Sequence, residues 1–168
     1  MNITRREWLL AAACWSEVLR AQTAQPNQFL WFDPASAAEI KAIAAQVIPD
    51  DNTPGAETAG VIWFIDASLA GYDQDKQELY QRGLRETQVK RAELFPGSTS
   101  IAGLASLQQI ALLKAIEKTD FFQQVRLHTI LGFFGKPMGS KFLGVGHQMH
   151  YEPPFGYYDA ETARGAGQ

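Results

Sequence analysis

Asp33-Pro34-Ala35-Ser36-Ala37-Ala38-Glu39-Ile40-Lys41-Ala42-Ile43-Ala44-Ala45-Gln46-Val47-Ile48-Pro49 reads as one amphipathic helix with both ends marked. Asp33 is a good N-cap. Pro34 suits the first helical position, where a backbone N–H would lack a partner anyway, and Pro49 stops the run. Between them Ile40, Ile43, Ala44, Val47 and Ile48 recur at i, i+3, i+4, i+7 and i+8, which places one apolar face against a core. No segment of the chain sustains the apolar–polar alternation of a strand, so the expected fold class is all-α.

Working outward, Pro49-Asp50-Asp51-Asn52-Thr53-Pro54-Gly55 packs turn formers too densely for helix or strand. A second helix is expected over 56–70. Its Val61-Ile62-Trp63-Phe64-Ile65 run is apolar on every side, as a central buried element would be. Gly71 separates it from a long polar helix over 73–95 that begins with acids and ends with bases, matching the helix dipole. Glu78 with Arg82 and Glu86 with Lys90 stand four apart in the favourable order, so this helix reads as a solvated face. Pro96-Gly97 breaks the chain. Ser106 and Gln109 then read as a capping box opening a helix to about residue 117, with Ile110, Leu113 and Ile116 as its seam. Thr119 or Asp120 caps a last helix over 121–134, and from Gly135 onward recurring Gly and Pro point to a long irregular C-terminal segment. The expectation is a small bundle of about five helices.

Composition narrows the function. At 168 residues and 46% apolar, the chain can bury a real core as one domain. Its net charge is −3, with Lys and Arg scattered among acids, which excludes the clustered basic footprint of a nucleic-acid binder. The 10 Phe, 5 Tyr and 4 Trp exceed what such a core needs and fit a large partner interface. Cys14 is the only cysteine, so there is no disulfide within the chain and no Cys-based metal or haem attachment. A Gly-rich dinucleotide fingerprint, a phosphate loop and a nucleophile elbow are all missing, which argues against an independent enzyme.

At the N-terminus Arg5 and Arg6 stand in Thr4-Arg5-Arg6-Glu7-Trp8-Leu9-Leu10, ahead of the short apolar run Trp8–Trp15. An arginine pair before a bulky apolar pair and a modest hydrophobic stretch resembles a twin-arginine export signal. The run falls far short of the roughly 20 residues that span a bilayer. Residues 1–24 are therefore expected to be signal, 25–159 a helical domain and 160–168 a disordered tail. Cys14 reads as a small apolar residue of the signal, with a lipidated anchor as the other reading.

Two separated stretches resemble the gluconate 2-dehydrogenase subunit 3 family. The first is Ile48-Pro49-Asp50-Asp51-Asn52-Thr53-Pro54-Gly55-Ala56 with Ala59-Gly60-Val61 and Phe64-Ile65-Asp66. The second is Phe121-Phe122, Arg126, His128-Thr129-Ile130 and Gly132-Phe133-Phe134, followed by Pro137. The resemblance implies a small non-catalytic accessory subunit of a periplasmic GMC-type flavoprotein sugar or polyol dehydrogenase. FAD and catalysis would belong to the large partner, a cytochrome c subunit would be a further partner, and the small chain would support the partner's folding and export. After Pro137 the sequence leaves the family pattern, with Met138-Gly139-Ser140-Lys141 and Leu143–His150 where members carry Tyr-Gly-Gly-Asn and a Gly-Trp.

Beside the resemblance, individual residues have their own readings. Asp50 and Asp51 in a Pro/Gly turn suit backbone capping rather than acid–base chemistry. Arg126 lies on a phenylalanine-rich helix, where an arginine is usually paired, and Asp50, Asp51 or Asp66 are its expected partners. His147 and His150, with His128 and a carboxylate, have the ligand types of a zinc or iron site, which makes an exported metal-dependent enzyme or binding protein the alternative function. Hydrogen-bonded or solvent-facing histidines are the default. His147, His150, Phe155, Tyr157 and Tyr158 are candidate interface residues, since the stiff Pro153–Asp159 stretch either closes the chain's own core or lies as an arm on another subunit.

Overall fold

A computed structural model describes residues 28–135. Arg5, Arg6, Cys14, His147, His150, Phe155, Tyr157 and Tyr158 lie outside the described residues. Five α-helices and no strand are present among those described: α1 (Pro34–Val47), α2 (Val61–Ala70), α3 (Gln77–Leu94), α4 (Ser106–Ile116) and α5 (Asp120–Phe134). The all-α expectation holds.

Local chemistry fixes most ends. Asp33 Oδ1 accepts from Ala35 N and Ser36 N at 2.9 and 3.0 Å, so the N-cap of α1 is formed as the sequence indicates. Thr119 Oγ1 accepts from Phe122 N and opens α5. Three boundaries differ from expectation. The 56–60 stretch forms turns, and α2 starts at Val61 after Gly60 in the left-handed region (φ 64°), a conformation that glycine adopts without steric cost. The long polar helix is preceded by a 3-10 turn over Gln74–Lys76.

The third difference is at α4, where the cap slides back one residue. Ala105 is the N-cap, and Gln108 Oε1 accepts from Ala105 N at 3.1 Å. Gln109, expected at the cap, instead turns inward. Its Nε2 donates to Ile101 O at 3.0 Å and its Oε1 accepts from Gln46 at 2.8 Å. That rotation leaves Ile110 exposed and puts Leu112 beside Leu113 and Ile116 in the seam.

Helix α5 packs against α1, α2 and α3, while α4 packs against α1 and α3. The α2 run is the core expected of it: Val61, Phe64, Ile65 and Leu69 are fully buried. Two glycines let helix axes approach closely. A Cβ at Gly83 on α3 would lie 2.1 Å from Phe121 Cγ, and one at Gly132 on α5 would lie 2.8 Å from Phe64 Cδ1. Both contacts are far inside van der Waals range, so side chains from the facing helices fill the room the glycines leave.

Gly83→Ala should therefore destabilise the bundle by about 1–3 kcal/mol, because the overlap with the Phe121 ring outweighs alanine's better helix propensity. Gly97→Ala, whose added methyl meets nothing within 4 Å, should shift stability by less than about 0.5 kcal/mol. Thermal unfolding followed by circular dichroism compares the two; equal melting temperatures would refute the close approach.

Candidate functional site

Three polar assemblies tie the helices together, and the sequence-derived residues fall among them. The most enclosed surrounds His128, which is 1% exposed on α5. Its Nδ1 lies 2.8 Å from the Tyr80 hydroxyl of α3, and its Nε2 lies 2.9 Å from Asp73 Oδ2 and 2.9 Å from the Gln124 amide. A carboxylate has no proton to give, so the contact with Asp73 places the ring hydrogen on Nε2 and leaves Nδ1 to accept from Tyr80; the Gln124 amide nitrogen, itself a donor, makes no hydrogen bond to Nε2 in that tautomer. Burial, reinforced by the charge of Asp73, pushes the Tyr80 phenol well above its ordinary 10.0, which keeps it a neutral donor. The two rings stack with centroids 5.8 Å apart and planes 20° apart, and Phe121 meets Tyr80 edge-on at 5.7 Å.

This cluster has the residue types of a catalytic relay and none of the access. Tyr80 is fully buried and His128 nearly so, and neither lines the groove beside Asp33 and Glu39 or the groove beside Ile110 and Arg126. With both ring nitrogens engaged inside the fold, His128 also offers no lone pair to a metal, which removes it from the metal reading. Among the described residues no group of three or more His, Cys, Asp or Glu side chains is placed to hold an ion.

The second assembly is the carboxylate of Asp66 on α2, 2% exposed. It accepts from three successive backbone N–H groups, Leu30 at 2.6 Å, Trp31 at 3.0 Å and Phe32 at 2.9 Å. Phe29 stacks on Trp63 beside it, with centroids 4.4 Å apart. The segment entering α1 is thus pinned to α2 by charge-assisted hydrogen bonds and an aromatic stack.

The third is the 48–56 turn. Asp50 accepts from Gly55 N and from Thr58 N, Asp51 accepts from Thr53 N and its hydroxyl, and Ala56 N donates to Ile48 O at 2.9 Å. A Cβ on Gly55 would collide with the Pro49 and Ile48 backbone at 2.4–2.5 Å, so only glycine closes the loop. The Gly55 N–H is the chief cause that holds the Asp50 carboxyl below its ordinary 3.8.

The pairing expected of Arg126 is not formed. Asp50 and Asp51 are spent on their own turn and Asp66 on residues 30–32, while Arg126 is exposed on α5. Among the described residues no carboxylate lies within ion-pair distance of it. It lines an open groove of about 620 Å³ with Ile110, Leu113, Lys114, Lys118 and Phe122. The flanking phenylalanines suggested a buried position, but the helix turns Phe121 and Val125 inward and Arg126 outward. Glu39 was missed as a structural residue. Buried on α1, it accepts from Ile101 N at 2.7 Å and Ala102 N at 3.2 Å, and a lone acid on the apolar side of that helix was the available signal.

The family model described as gluconate 2-dehydrogenase subunit 3 matches residues 34–154, well over half of the chain. No curated protein and no solved structure matches it.

Asp66→Ala should cost about 3 kcal/mol, since it strands three N–H groups that lose a charged acceptor. Arg126→Ala should change stability by less than about 0.5 kcal/mol, as for an exposed side chain with no ion-pair partner among the described residues. Chemical denaturation of the two variants tests the assignment, and a reversed order would restore the pairing expected from sequence. A second outcome concerns acid. Because the folded Asp50 carboxyl is held below 3.8, its contribution is complete above that pH and fades as pH falls through the folded value. The melting-temperature gap between wild type and Asp50→Asn should narrow as the pH falls below 3.8 and through the folded value; a constant gap would show that the charge is immaterial.

Proposed function

The chain belongs to the gluconate 2-dehydrogenase subunit 3 family, and from that membership we propose that it is the non-catalytic small subunit of a periplasmic GMC-type, FAD-dependent sugar dehydrogenase. In this reading FAD and substrate oxidation belong to the large subunit. The small chain binds that subunit, supports its folding and stability, and carries the twin-arginine signal, Arg5 and Arg6, on which both are exported. A cytochrome c subunit receiving the electrons would complete the complex.

The observation that carries the reading is the family match over 34–154, which spans both signatures. The fold gives those signatures structural work. The first closes the α1–α2 turn through Asp50 and Gly55 and anchors residues 30–32 through Asp66. The second supplies the helix that three others pack against and seats His128 at its centre. The titratable cluster around His128 is consumed in joining α3 to α5, as suits a chain whose chemistry is done elsewhere.

Co-expression with the flavoprotein, purified through a tag on this chain, tests the proposal directly. A yellow complex with a flavin spectrum and dehydrogenase activity is expected, and a colourless chain purified alone from such cells would oppose it. Arg5→Lys with Arg6→Lys should leave both subunits in the cytoplasm, read by fractionation and flavoprotein activity. Normal periplasmic activity in the double variant would remove the export role.

A further inference from the structure

We infer that the groove between α4, α5 and the C-terminal end of α1 is the docking site for an acidic, apolar-centred segment of the catalytic subunit; this rests on the subunit reading above. On α4, Ile110 and Lys114 stand four residues apart on one stripe, and Lys118 follows in the turn after the helix. On α5, Phe122 and Arg126 form a second, and both stripes line the groove. Leu113 and Val47 add apolar surface to it. Ile110 is 38% exposed, a consequence of Gln109 turning into the core.

The charges are the decisive part. Lys41, Lys76, Arg82 and Lys90 each stand beside a carboxylate, with Glu57, Asp75, Glu86 and Glu93. Arg91 is tied to Ser98 and Gln88. Lys114, Lys118 and Arg126 have no ion-pair partner among the described residues, and all three face this groove, where Glu117 is the only acid in the lining. Arg85, likewise without a carboxylate partner, lines a different groove beside Asp33 and Glu39. A chain of net charge −3 therefore gathers unneutralised positive charge around one apolar floor. Electrostatic complementarity calls for carboxylates at the partner's rim, and the floor calls for an apolar side chain between them. Long Lys and Arg stems can cover that side chain while their heads meet the acids.

Zero-length carbodiimide coupling of the co-expressed complex tests this, since it joins an amine to a carboxylate already in contact. Amide cross-links from Lys114 or Lys118 to Asp or Glu of the flavoprotein are expected. Cross-links to this chain's own Glu152, Asp159 or Glu161 would show its own tail in the groove and overturn the proposal. The combined substitution Lys114→Glu, Lys118→Glu and Arg126→Glu should lower co-purified flavin about ten-fold, with Arg85→Glu as the control that retains it. Circular dichroism confirms that the triple variant is folded, and the milder triple change to Gln serves if it is not. Undiminished flavin in the folded variant overturns the groove while leaving the subunit reading intact. A wild-type chain that captures no flavoprotein sinks both.

Discussion

A helix that touches three others has little polar surface to spare, and α5 is in that position. The arrangement works because its inward positions are either small or fully satisfied. Gly132 admits Phe64 of α2, and Thr129 returns its hydroxyl to Val125 O at 2.7 Å. His128 finds protein partners on both ring nitrogens. Among the described residues no buried side-chain nitrogen or oxygen lacks a hydrogen-bond partner. An unsatisfied imidazole at the crossing of three helices would cost the desolvation penalty with no return, so the positions of Tyr80 and Asp73 follow from that of His128.

Carboxylates do the same kind of work at the edges. Asp66, Glu39 and Asp50 each take up backbone N–H groups that no helix or strand ladder could use: those of residues 30–32, of residues 101 and 102, and of Gly55. Irregular segments carry unpaired donors, and in a bundle with few regular connections those donors must be met by side chains. Acids are efficient at this because one carboxylate accepts several bonds at once. Asp66, Glu39 and Asp50 are thus spent on the architecture, and the groove that holds Lys114, Lys118 and Arg126 has a single acid, Glu117, in its lining.

That division separates inside from outside. The inside is closed chemically, with its titratable groups engaged, whereas the outer faces of α4, α5 and the turn between them combine an exposed isoleucine, a half-buried phenylalanine and three cations. Under the proposed subunit reading this asymmetry has a purpose, because a surface of that kind suits contact with another chain.

The sequence alone determined the helices whose ends carry explicit chemistry. Asp33, Pro34 and Pro49 bounded α1, Thr119 opened α5, and the apolar run from Val61 announced the buried centre, because caps and periodicity act over a few residues. The family was legible for the same reason: its signatures are local turn and helix-face patterns. Asp50 and Asp51 could be read as turn caps because their donors lie within eight residues. What lay beyond local reach was decided by the tertiary structure. Whether Gln109 capped α4 or entered the core depended on Ile101 and on Gln46, 63 residues away. Whether Asp66 met Arg126 or residues 30–32 depended on where the chain entered α1. The role of His128 depended on Asp73, 55 residues distant, and on Tyr80 at 48. A side chain's polarity is fixed by the residue, but its partner is fixed by which helix faces it, and that is a property of packing rather than of any short stretch of sequence.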